Sequence, residues 1–414
     1  KNKFHMLTTN KSWFGLTTFA PMLLRYSKDF WLLSFSMFFF ILSFNLILPE
    51  MNGFISQLGG SGVKGSIIFL FSVAACISRP FAGKLADLIG RKRSIYIGLS
   101  FAIAASLSYS FVSWIGFFFV LRCLHGLSAG FAPTGATALL TDILPPDRKG
   151  AAMGLWGTFI SLGIGIGQAL GSFIFTQSNF DVLFICAAGF GIISLLLLIP
   201  IKETLPTQLR FNRKQLLIKW EDVVEPTVKP AATIMLLTAI SSGVIFVLSP
   251  EYSVYLGITN KGYFFGVYVL TTIGVRLIFS SLSDRIGRRE TMLFGCSLLV
   301  FSMIYLGLVD DIWSYTIAAG IFGLATGISS PTLFAWTADL SLAHRRGTGS
   351  GTLFIALELG ILIGSGLTFL CYENTMESAR ICMFIAAGFG VLALLLLLLQ
   401  LRKSKLALNA RGNV

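Results

Sequence analysis

The sequence predicts an all-α membrane protein with twelve transmembrane helices, arranged as two pseudo-symmetric six-helix bundles. Three observations lead to this fold class. The 414 residues are 55% hydrophobic and only 12% charged, against about 25% charged residues in an average soluble domain. Twelve apolar runs reach the length of about 20 residues that a membrane-spanning helix needs. Finally, motifs of the first half recur in the second half at a fixed offset of 197 residues.

The apolar runs follow one another through short connections, except at one place in the middle of the chain. Their predicted bounds are 30–57, 65–84, 93–111, 114–139, 149–174, 180–200, 230–256, 262–282, 290–308, 312–337, 347–371 and 379–400. A polar, charged stretch separates the sixth run from the seventh. The predicted domains are a tail at 1–29, a bundle at 30–200, a linker at 201–229, a bundle at 230–400 and a tail at 401–414.

The distribution of lysine and arginine predicts which helix ends face the cytoplasm. If both termini and the linker are cytoplasmic, 26 of the 32 Lys and Arg residues lie on that side, three lie opposite, and three lie within spans. Cytoplasmic loops of membrane proteins carry such an excess. The expected location is the cell (inner or plasma) membrane, crossed many times, with both termini cytoplasmic. This bias explains the net charge of +13 without a nucleic-acid partner.

A basic turn after the second span of each half is the clearest repeat. R-P-F-A-G-K-L-A-D-L-I-G-R-K-R occupies residues 79–93, and R-L-I-F-S-S-L-S-D-R-I-G-R-R occupies residues 276–289. At the offset of 197, Asp87 corresponds to Asp284 and Arg91 to Arg288. Two six-helix halves repeated in parallel are a recurring plan of secondary transporters, which bind substrate where the halves meet.

Motifs in the second, fourth and fifth helices carry a resemblance to a known family. They are G-K-L-A-D-L-I-G-R-K-R at 83–93, Arg122 with Gly126, and the glycines Gly154, Gly163, Gly167 and Gly171. The chain resembles the major facilitator superfamily, and is most similar to its twelve-helix drug–proton antiporter branch. Members of that branch have a signature turn, a proton-coupling helix and an antiporter helix with these patterns. Gln168 departs from the last pattern, which has a proline there.

The resemblance supports a role for the two basic turns as latches that close the cytoplasmic side. Asp87 is expected to reach the N-terminus of the eleventh helix, whose glycine-rich start at 347–351 leaves N–H groups open. Such termini carry about half a positive charge. Asp284 is the expected mirror latch against the fifth helix. The other predicted latch residues are Gly83, Gly90, Arg91 and Arg288. The alternative is a pair of charged turns that only enforce topology.

Four ionisable residues within the spans are candidates for proton coupling or substrate contact, because charge inside a membrane is costly. They are Glu50, Arg122, Glu251 and Glu358. Glu50 and Glu251 each follow a proline at equivalent places in the first and seventh helices. Burial favours the neutral, proton-carrying form of a carboxyl group. The alternative for this pair is two solvated acids at the outer mouth.

Glu358 lies near the middle of the eleventh helix, and its counterpart in the first half is Ser161. An acid at this depth without a symmetric partner indicates coupling or substrate contact, or else a salt bridge that only holds helices together. Arg122 needs carbonyl groups, a carboxylate or an anionic substrate as partner, and the resemblance assigns it to proton coupling. Arg79 and Arg276 are expected to extend to the membrane surface.

The fifth helix contains overlapping small-residue patterns that permit close contact between helices. Gly163, Gly165, Gly167 and Gly171 form these patterns. With Gly154 and the hydrogen-bonding Gln168, they are predicted to form a contact that bends or slides as the halves move. The alternative is tight packing without a gating role. Both interpretations describe the same glycine contact.

The predicted function is secondary active transport by alternating access, as proton-coupled export of a small, partly apolar molecule or drug. No P-loop motif occurs, so a gradient is the expected energy source. The six cysteines show no C-x-x-C spacing, which argues against a metal site. Neither an enzyme activity nor a cofactor is expected. The expected partners are a small-molecule substrate, protons and the lipid bilayer, and the protein is expected to be a monomer.

Two other functions remain open at this point. The first is another kind of transporter: an importer of a sugar or organic anion, or an exporter of a metal-chelating metabolite. The second is a membrane receptor that kept the fold and lost transport. Buried charges argue against the receptor, because a protein that does not transport need not retain them.

Overall fold

Long helices make up most of the chain in a computed structural model, which describes residues 26–144, 149–205, 208–212, 217–219, 223–279, 283, 286–341 and 346–412. Within those ranges twelve long helices follow one another. They are α1 (Lys28–Gln57), α2 (Ser66–Ile89), α3 (Arg91–Ser108), α4 (Ile115–Ile143), α5 (Lys149–Gln177), α6 (Phe180–Leu198), α7 (Lys229–Tyr255), α8 (Tyr263–Phe279), α9 (Arg288–Leu306), α10 (Ile312–Leu340), α11 (Arg346–Cys371) and α12 (Met376–Gly412).

Eleven helices in the described part of the chain are long and apolar enough to cross a membrane. The remaining one, α8, is apolar but shorter over its described residues. The prediction of an all-α membrane protein with two six-helix halves is therefore confirmed. Local sequence explains several boundaries. The Ser27 side chain accepts a hydrogen bond from the Phe30 N–H at 3.2 Å and caps α1, and Pro49 begins a 3₁₀ turn at Leu48–Glu50 within that helix.

Packing repeats between the two halves. In the first half, α1 packs against α5 and α6, while α4 packs against α2 and α3. In the second half, α7 packs against α11 and α12, while α10 packs against α8 and α9. The halves meet along two equivalent contacts, α2 with α11 and α8 with α5. We call these the α2–α11 interface and the α5–α8 interface.

The basic turn after α2 and the start of the linker lie on the same face, which we call the linker face. The Glu203 carboxylate accepts hydrogen bonds from the N–H groups of Arg91 and Lys92 at the start of α3. The Leu209 N–H donates to the Leu88 carbonyl at 2.8 Å. We call the opposite face the distal face. The lysine and arginine distribution predicts that the linker face is cytoplasmic.

The buried apolar side chains form three clusters, and their distribution shows where the halves are joined. The largest contains residues of both halves, including Leu46 and Phe54 with Val244 and Tyr252, and lies toward the distal face. The other two clusters each belong to one half and lie toward the linker face. The halves therefore share a core on the distal side and have separate cores on the linker side.

Three of the glycines predicted to form the moving contact of α5 pack inside the first half. They are Gly163, Gly167 and Gly171. A Cβ added at Gly163 or Gly167 would meet α1 at 2.9 to 3.0 Å, and one added at Gly171 would lie 1.7 Å from the Leu46 carbonyl oxygen. The Gln168 Nε2 donates to Asn45 Oδ1 of α1 at 3.2 Å. The three glycines and the Gln168 side chain therefore face α1, and their predicted role in bending or sliding stays a prediction.

Helical phase explains why these glycines face α1. Gly163, Gly167 and Gly171 recur every four residues and so share one face of α5, whereas Gly165 lies on another face. A Cβ at Gly165 would lie 2.4 Å from Val269 of α8. Gly154 lies within α5 as well. Gly165, which belongs to the same overlapping small-residue patterns, thus contacts the other half.

We expect Gly171→Ala to destabilise the first half strongly, because the added methyl group would overlap the Leu46 carbonyl. Overpacking of this kind costs about 1–3 kcal/mol and sometimes more. The measurement is the thermal unfolding temperature of the detergent-purified protein. Gly189→Ala on α6 is the matched control, since no atom lies within 4 Å of its added Cβ. Equal unfolding temperatures for the two variants would contradict the α1–α5 contact.

Candidate functional site

Two ion pairs join the halves on the distal face. Glu50 of α1 pairs with Lys261, which precedes α8, and Glu251 of α7 pairs with Lys64, which precedes α2, at 2.8 Å. Each pair connects an acid of one half to a lysine of the other. The two acids are buried rather than solvated, with 1% and 8% of their surfaces exposed. The pairs are therefore equivalent cross-links between the halves.

Further hydrogen bonds occupy the carboxylates of these pairs. Glu251 accepts bonds from the Asn52 side-chain amide at 2.8 Å and from the Tyr372 hydroxyl at 2.9 Å. Glu50 accepts a bond from the Ser172 hydroxyl at 3.0 Å. A buried charge is tolerated only when it is paired and hydrogen-bonded in this way. These contacts therefore satisfy both carboxylates and hold the distal face closed.

Two glycines allow the backbones of the halves to meet beside these ion pairs. A Cβ added at Gly65 would lie 2.4 Å from the Phe369 nitrogen, and one added at Gly262 would lie 2.2 Å from the Gln168 carbonyl oxygen. We call Glu50, Lys64, Gly65, Glu251, Lys261 and Gly262 the distal clamp. Its glycines and lysines form a Lys-Gly dipeptide that recurs at the offset of 197.

We expect Gly262→Val to prevent the distal face from closing, because any side chain there would overlap backbone atoms of α5. Backbone cannot move aside as a flexible side chain can. The measurement is the accessibility of an engineered cysteine at Ser242, which lines the space between the halves, to a maleimide that cannot cross the membrane. Gly266→Val, whose added Cβ would lie 4.0 Å from its nearest neighbour, is the control. An unchanged labelling rate would count against the clamp.

A third ion pair lies deeper, at the α2–α11 interface. Arg79 of α2 pairs with Glu358 of α11, and the side chains are 11% and 9% exposed. The Arg79 guanidinium also lies over the Phe354 ring, with 5.0 Å between the guanidinium carbon and the ring centroid. The expectation that Arg79 extends to the membrane surface is wrong, since Glu358 holds it between the halves.

Among the described residues, Asp87 makes no latch contact with the start of α11 in this conformation. Asp87 pairs with Arg91 of its own half, and the Asp87 side chain is 68% exposed. Arg91 also bonds Asp142 at 3.2 Å, and Arg288 bonds Asp339 at 2.8 Å as the equivalent contact of the second half. The latch between Asp87 and the start of α11 remains a prediction for a conformation in which the linker face is closed.

The remaining latch residues differ in how well the structure defines them. Asp284 lies outside the described residues. Gly83 has space, because its added Cβ would lie 3.9 Å from Thr134. Gly90 has a φ of +130°, and a Cβ there would lie 2.6 Å from Glu203. Gly90 is thus required where the chain turns into α3 and meets Glu203.

Arg122 lies inside the first half rather than between the halves. Its Nε donates to the Ile67 carbonyl at 2.9 Å, its Nη1 donates to the Tyr109 hydroxyl at 3.3 Å, and its guanidinium lies 5.0 Å from the Phe71 ring centroid. Of the partners predicted for this arginine, the structure supplies a carbonyl group, and it adds a tyrosine hydroxyl that was not predicted. This geometry stabilises the α2–α4 contact, and the proton-coupling role stays a prediction.

A small pocket lies between the halves near the middle of the bundle. It has a volume of about 30 Å³ and is lined by Ile164, Ser242, Ile245, Phe246, Phe265, Tyr268 and Phe322. The rings of Phe246 and Phe265 stack with their centroids 5.4 Å apart. Drug-sized ligands occupy sites of about 300–1,000 Å³. A substrate of that size therefore requires the halves to separate further.

Comparison with known proteins decides which family this geometry represents. The family model described as the Major Facilitator Superfamily matches residues 33–365 and 231–413. The chain belongs to the Major Facilitator Superfamily. It is therefore a transporter and not an enzyme, and the coarse prediction of a multi-pass membrane transporter is confirmed. The two-bundle packing and the sites between the halves are consistent with this membership.

Individual relatives are distant. The chain is 22% identical over 396 residues to the quinolone resistance protein NorA of Staphylococcus aureus (strain COL), which covers 90% of this chain and 97% of NorA. It is 24% identical over 389 residues to the putative metabolite transport protein YwtG of Bacillus subtilis (strain 168), covering 83% and 84% of the two chains.

Two solved structures share the fold at low identity. The human organic anion transporter MFSD10 (TETRAN) has a TM-score of 0.70 and 17% identity, and the match covers 89% of this chain and 99% of that one. The peptide transporter POT in complex with sulfate has a TM-score of 0.75 and 16% identity, covering 91% and 94%. These two structures confirm the major facilitator fold.

Several residues of this superfamily member's site were missed by sequence reasoning. Lys64 and Lys261 were counted only as basic residues opposite the linker face, and Gly65 and Gly262 were not considered. The repeated Lys-Gly dipeptide was a usable signal, because a short motif conserved between two halves indicates an equivalent position in each. Asn52 and Tyr372 gave no comparable signal.

Proposed function

We propose that this transporter exports a small, partly apolar molecule in exchange for protons, and that Glu358 carries the proton. The observation that carries the proposal is the buried ion pair between Arg79 and Glu358 at the α2–α11 interface. Among the buried carboxylates of the described residues that link the halves, Glu358 lies closest to the middle of its helix. A change in the charge of Glu358 therefore acts directly on the α2–α11 interface, where the two halves meet.

The energetics of a buried ion pair explain how a proton would act. Removing one partner's charge from such a pair costs about 3–5 kcal/mol, because the other charge stays buried without compensation. A proton on Glu358 would leave Arg79 in that state. The protonated protein would therefore favour a conformation in which α2 and α11 move apart and Arg79 reaches water. This differential stability is what couples proton binding to a change of state.

The conformation seen in the structure fits one step of an exchange cycle. The distal clamp is closed and Glu358 is paired with Arg79, as we propose for the state after the proton has left. Substrate would then enter from the linker face. In the opposite state the clamp opens, substrate leaves at the distal face, and Glu358 takes up the next proton. Closure of the linker face is assigned to Asp87 and its counterpart Asp284.

Glu50 and Glu251 receive a different role in this proposal. Their lysine partners and additional hydrogen bonds support clamp residues that open and close with the distal face. A proton on either carboxylate would weaken the clamp. Glu50 and Glu251 are therefore candidates for proton coupling that rank after Glu358.

Two features support export over import. The fifth helix resembles that of drug–proton antiporters, and one of the relatives is named for quinolone resistance. Import of a sugar or organic anion is the second candidate, because the turn D-R-I-G-R-R at 284–289 is shared with sugar porters. The two functions differ in whether protons move in the opposite direction to the substrate or in the same direction.

The proposal is tested by proton flux in liposomes that contain the purified protein and a pH-sensitive dye. A panel of aromatic compounds in cationic, neutral and anionic forms is added with and without a pH gradient. We expect at least one compound to accumulate against its own gradient while protons move in the opposite direction, and an ionophore that collapses the pH gradient to stop it. Movement of compound and protons in the same direction would support import. Movement of the compound at the same rate with and without the pH gradient would contradict proton coupling.

A further inference from the structure

The α5–α8 interface contains a second copy of the Arg79 site from which both partners have been removed. Arg79 is held by the Glu358 carboxylate and lies over the Phe354 ring. At the offset of 197, Arg79 corresponds to Arg276. The residues that correspond to Phe354 and Glu358 are Gly157 and Ser161. The arginine is thus retained, while the ring and the carboxylate are replaced by small residues.

The structure places Arg276 next to Gly157. A Cβ added at Gly157 would lie 3.6 Å from the Arg276 Nη1, so the guanidinium lies beside α5. The Nε of Arg276 is buried and makes no hydrogen bond. Within the described residues, no acid pairs with this arginine, although the residue as a whole is half-buried. Among the residues that the structure describes, Arg276 is therefore a cation between the halves without a counter-ion.

An arginine in this situation has a well-defined preference for partners. The planar guanidinium binds a carboxylate through two parallel hydrogen bonds and stacks on flat aromatic groups. The α2–α11 interface satisfies both preferences with protein side chains. At the α5–α8 interface, Gly157 leaves the space that a ring fills in the equivalent site.

We propose that Arg276 binds the carboxylate of a substrate that is an aromatic or similarly flat organic acid. The ring of the substrate would take the place that Phe354 has at the other interface, and its carboxylate would take the place of Glu358. This inference rests on the proposed transport function and names its substrate class. It also gives the two interfaces different tasks: one carries the proton, and the other carries the substrate.

The central pocket is lined in part by residues of the same two helices, α5 and α8. Tyr268 lies eight residues before Arg276 on α8, which is a distance of about 12 Å along a helix. Ile164 lies seven residues after Gly157 on α5. Both residues line the pocket together with Phe246, Phe265 and Phe322. A substrate bound through its carboxylate to Arg276 could therefore extend its apolar part toward these aromatic side chains when the halves separate.

The experiment measures binding to the purified full-length protein in nanodiscs at one fixed pH, with no gradient. The probes share one ring system and differ in charge: 1-naphthoate, 1-naphthylmethanol and 1-naphthylmethylammonium. We expect 1-naphthoate to bind at least tenfold more tightly than the other two. We expect Arg276→Gln to weaken 1-naphthoate binding at least tenfold and to leave 1-naphthylmethanol binding unchanged.

A second variant builds the missing carboxylate into the protein. Ser161→Glu places an acid where the equivalent site has Glu358, so it should pair with Arg276 and weaken 1-naphthoate binding as strongly as Arg276→Gln. Ser161→Thr is the matched control and should keep the wild-type affinity. Thermal unfolding shows whether the variants fold. We expect Arg276→Gln to unfold at the wild-type temperature or above it, because it removes an uncompensated charge.

Equal binding of the three probes, or 1-naphthoate binding that survives both Arg276→Gln and Ser161→Glu, would overturn the inference. A lower unfolding temperature of Arg276→Gln with unchanged binding would overturn it too, since Arg276 would then be structural. The proposed function fails separately. Charge-selective binding without proton-driven flux would support the Arg276 site and contradict the export proposal. Proton-driven flux of neutral compounds alone would support the export proposal and contradict the Arg276 site.

Discussion

Glu358→Gln is expected to abolish proton-driven accumulation of substrate while movement down a substrate gradient continues. Glutamine keeps the shape of the side chain, but its neutral amide can neither release nor take up a proton as a carboxyl group does. A loss of about 3–5 kcal/mol in coupling corresponds to at least a hundredfold decrease. The measurement compares pH-driven accumulation with downhill exchange in the same liposomes. Glu377→Gln, an exposed acid at the start of α12, is the control and should behave as wild type.

The partner of Glu358 separates coupling from stability. Arg79→Gln leaves Glu358 buried without its counter-ion, so this variant should unfold at a lower temperature than wild type. The double variant Arg79→Gln with Glu358→Gln has no uncompensated charge and should recover stability, but not coupling. Proton-driven accumulation by the double variant would contradict the role of this ion pair.

Replacing both lysines of the distal clamp, Lys64→Met with Lys261→Met, is expected to shift the protein toward a state that is open at the distal face. The change leaves Glu50 and Glu251 without their counter-ions, and each can regain solvation only if the halves separate. We expect the labelling rate of a cysteine at Ser242 from the distal side to rise at least tenfold. Each single variant should have a smaller effect.

Arg380→Gln is the matched control for the clamp. Arg380 pairs with Asp310 on the same face, but both residues belong to the second half. Loss of this pair should leave the labelling rate at the wild-type value, because it does not join the halves. Similar increases for Arg380→Gln and for the double lysine variant would mean that the lysines stabilise the protein generally and do not act as a clamp.

The sequence was sufficient for those features that depend on local composition or on the internal repeat. Apolar length identified the helices, and the repeat at 197 residues identified the halves and their equivalent turns. Glu358 was recognised because a charge in mid-helix is unusual inside a membrane. None of these inferences required knowing which helices touch.

The pairing of helices could not be read from the sequence, and the errors follow from that. Arg79 and Glu358 lie 279 residues apart, so nothing local indicates that one neutralises the other. The glycines at 163, 167 and 171 share a helical face, but periodicity does not reveal that α1 covers it rather than α8. Apolar residues occur on every face of these helices. The pattern of hydrophobic residues therefore does not show which neighbouring helix covers a given face.

Conformational state is a further property that sequence motifs do not specify. The motif around Asp87 is equally present whether the linker face is open or closed. In the structure the distal clamp is formed and Asp87 stays exposed. The two sets of contacts are therefore expected to form alternately and not together. That expectation is the basis of every functional proposal made for this chain.

Distances between spin labels on the two halves test this alternation directly. One pair, at Ser113 and Trp313, lies on the distal face, and the other, at Lys202 and Arg402, lies on the linker face; all four residues are exposed. The six native cysteines are replaced beforehand. With Glu358→Gln, we predict that the distal distance lengthens while the linker-face distance shortens. If both distances changed in the same direction, or neither changed, the halves would not alternate and Glu358 would not control them.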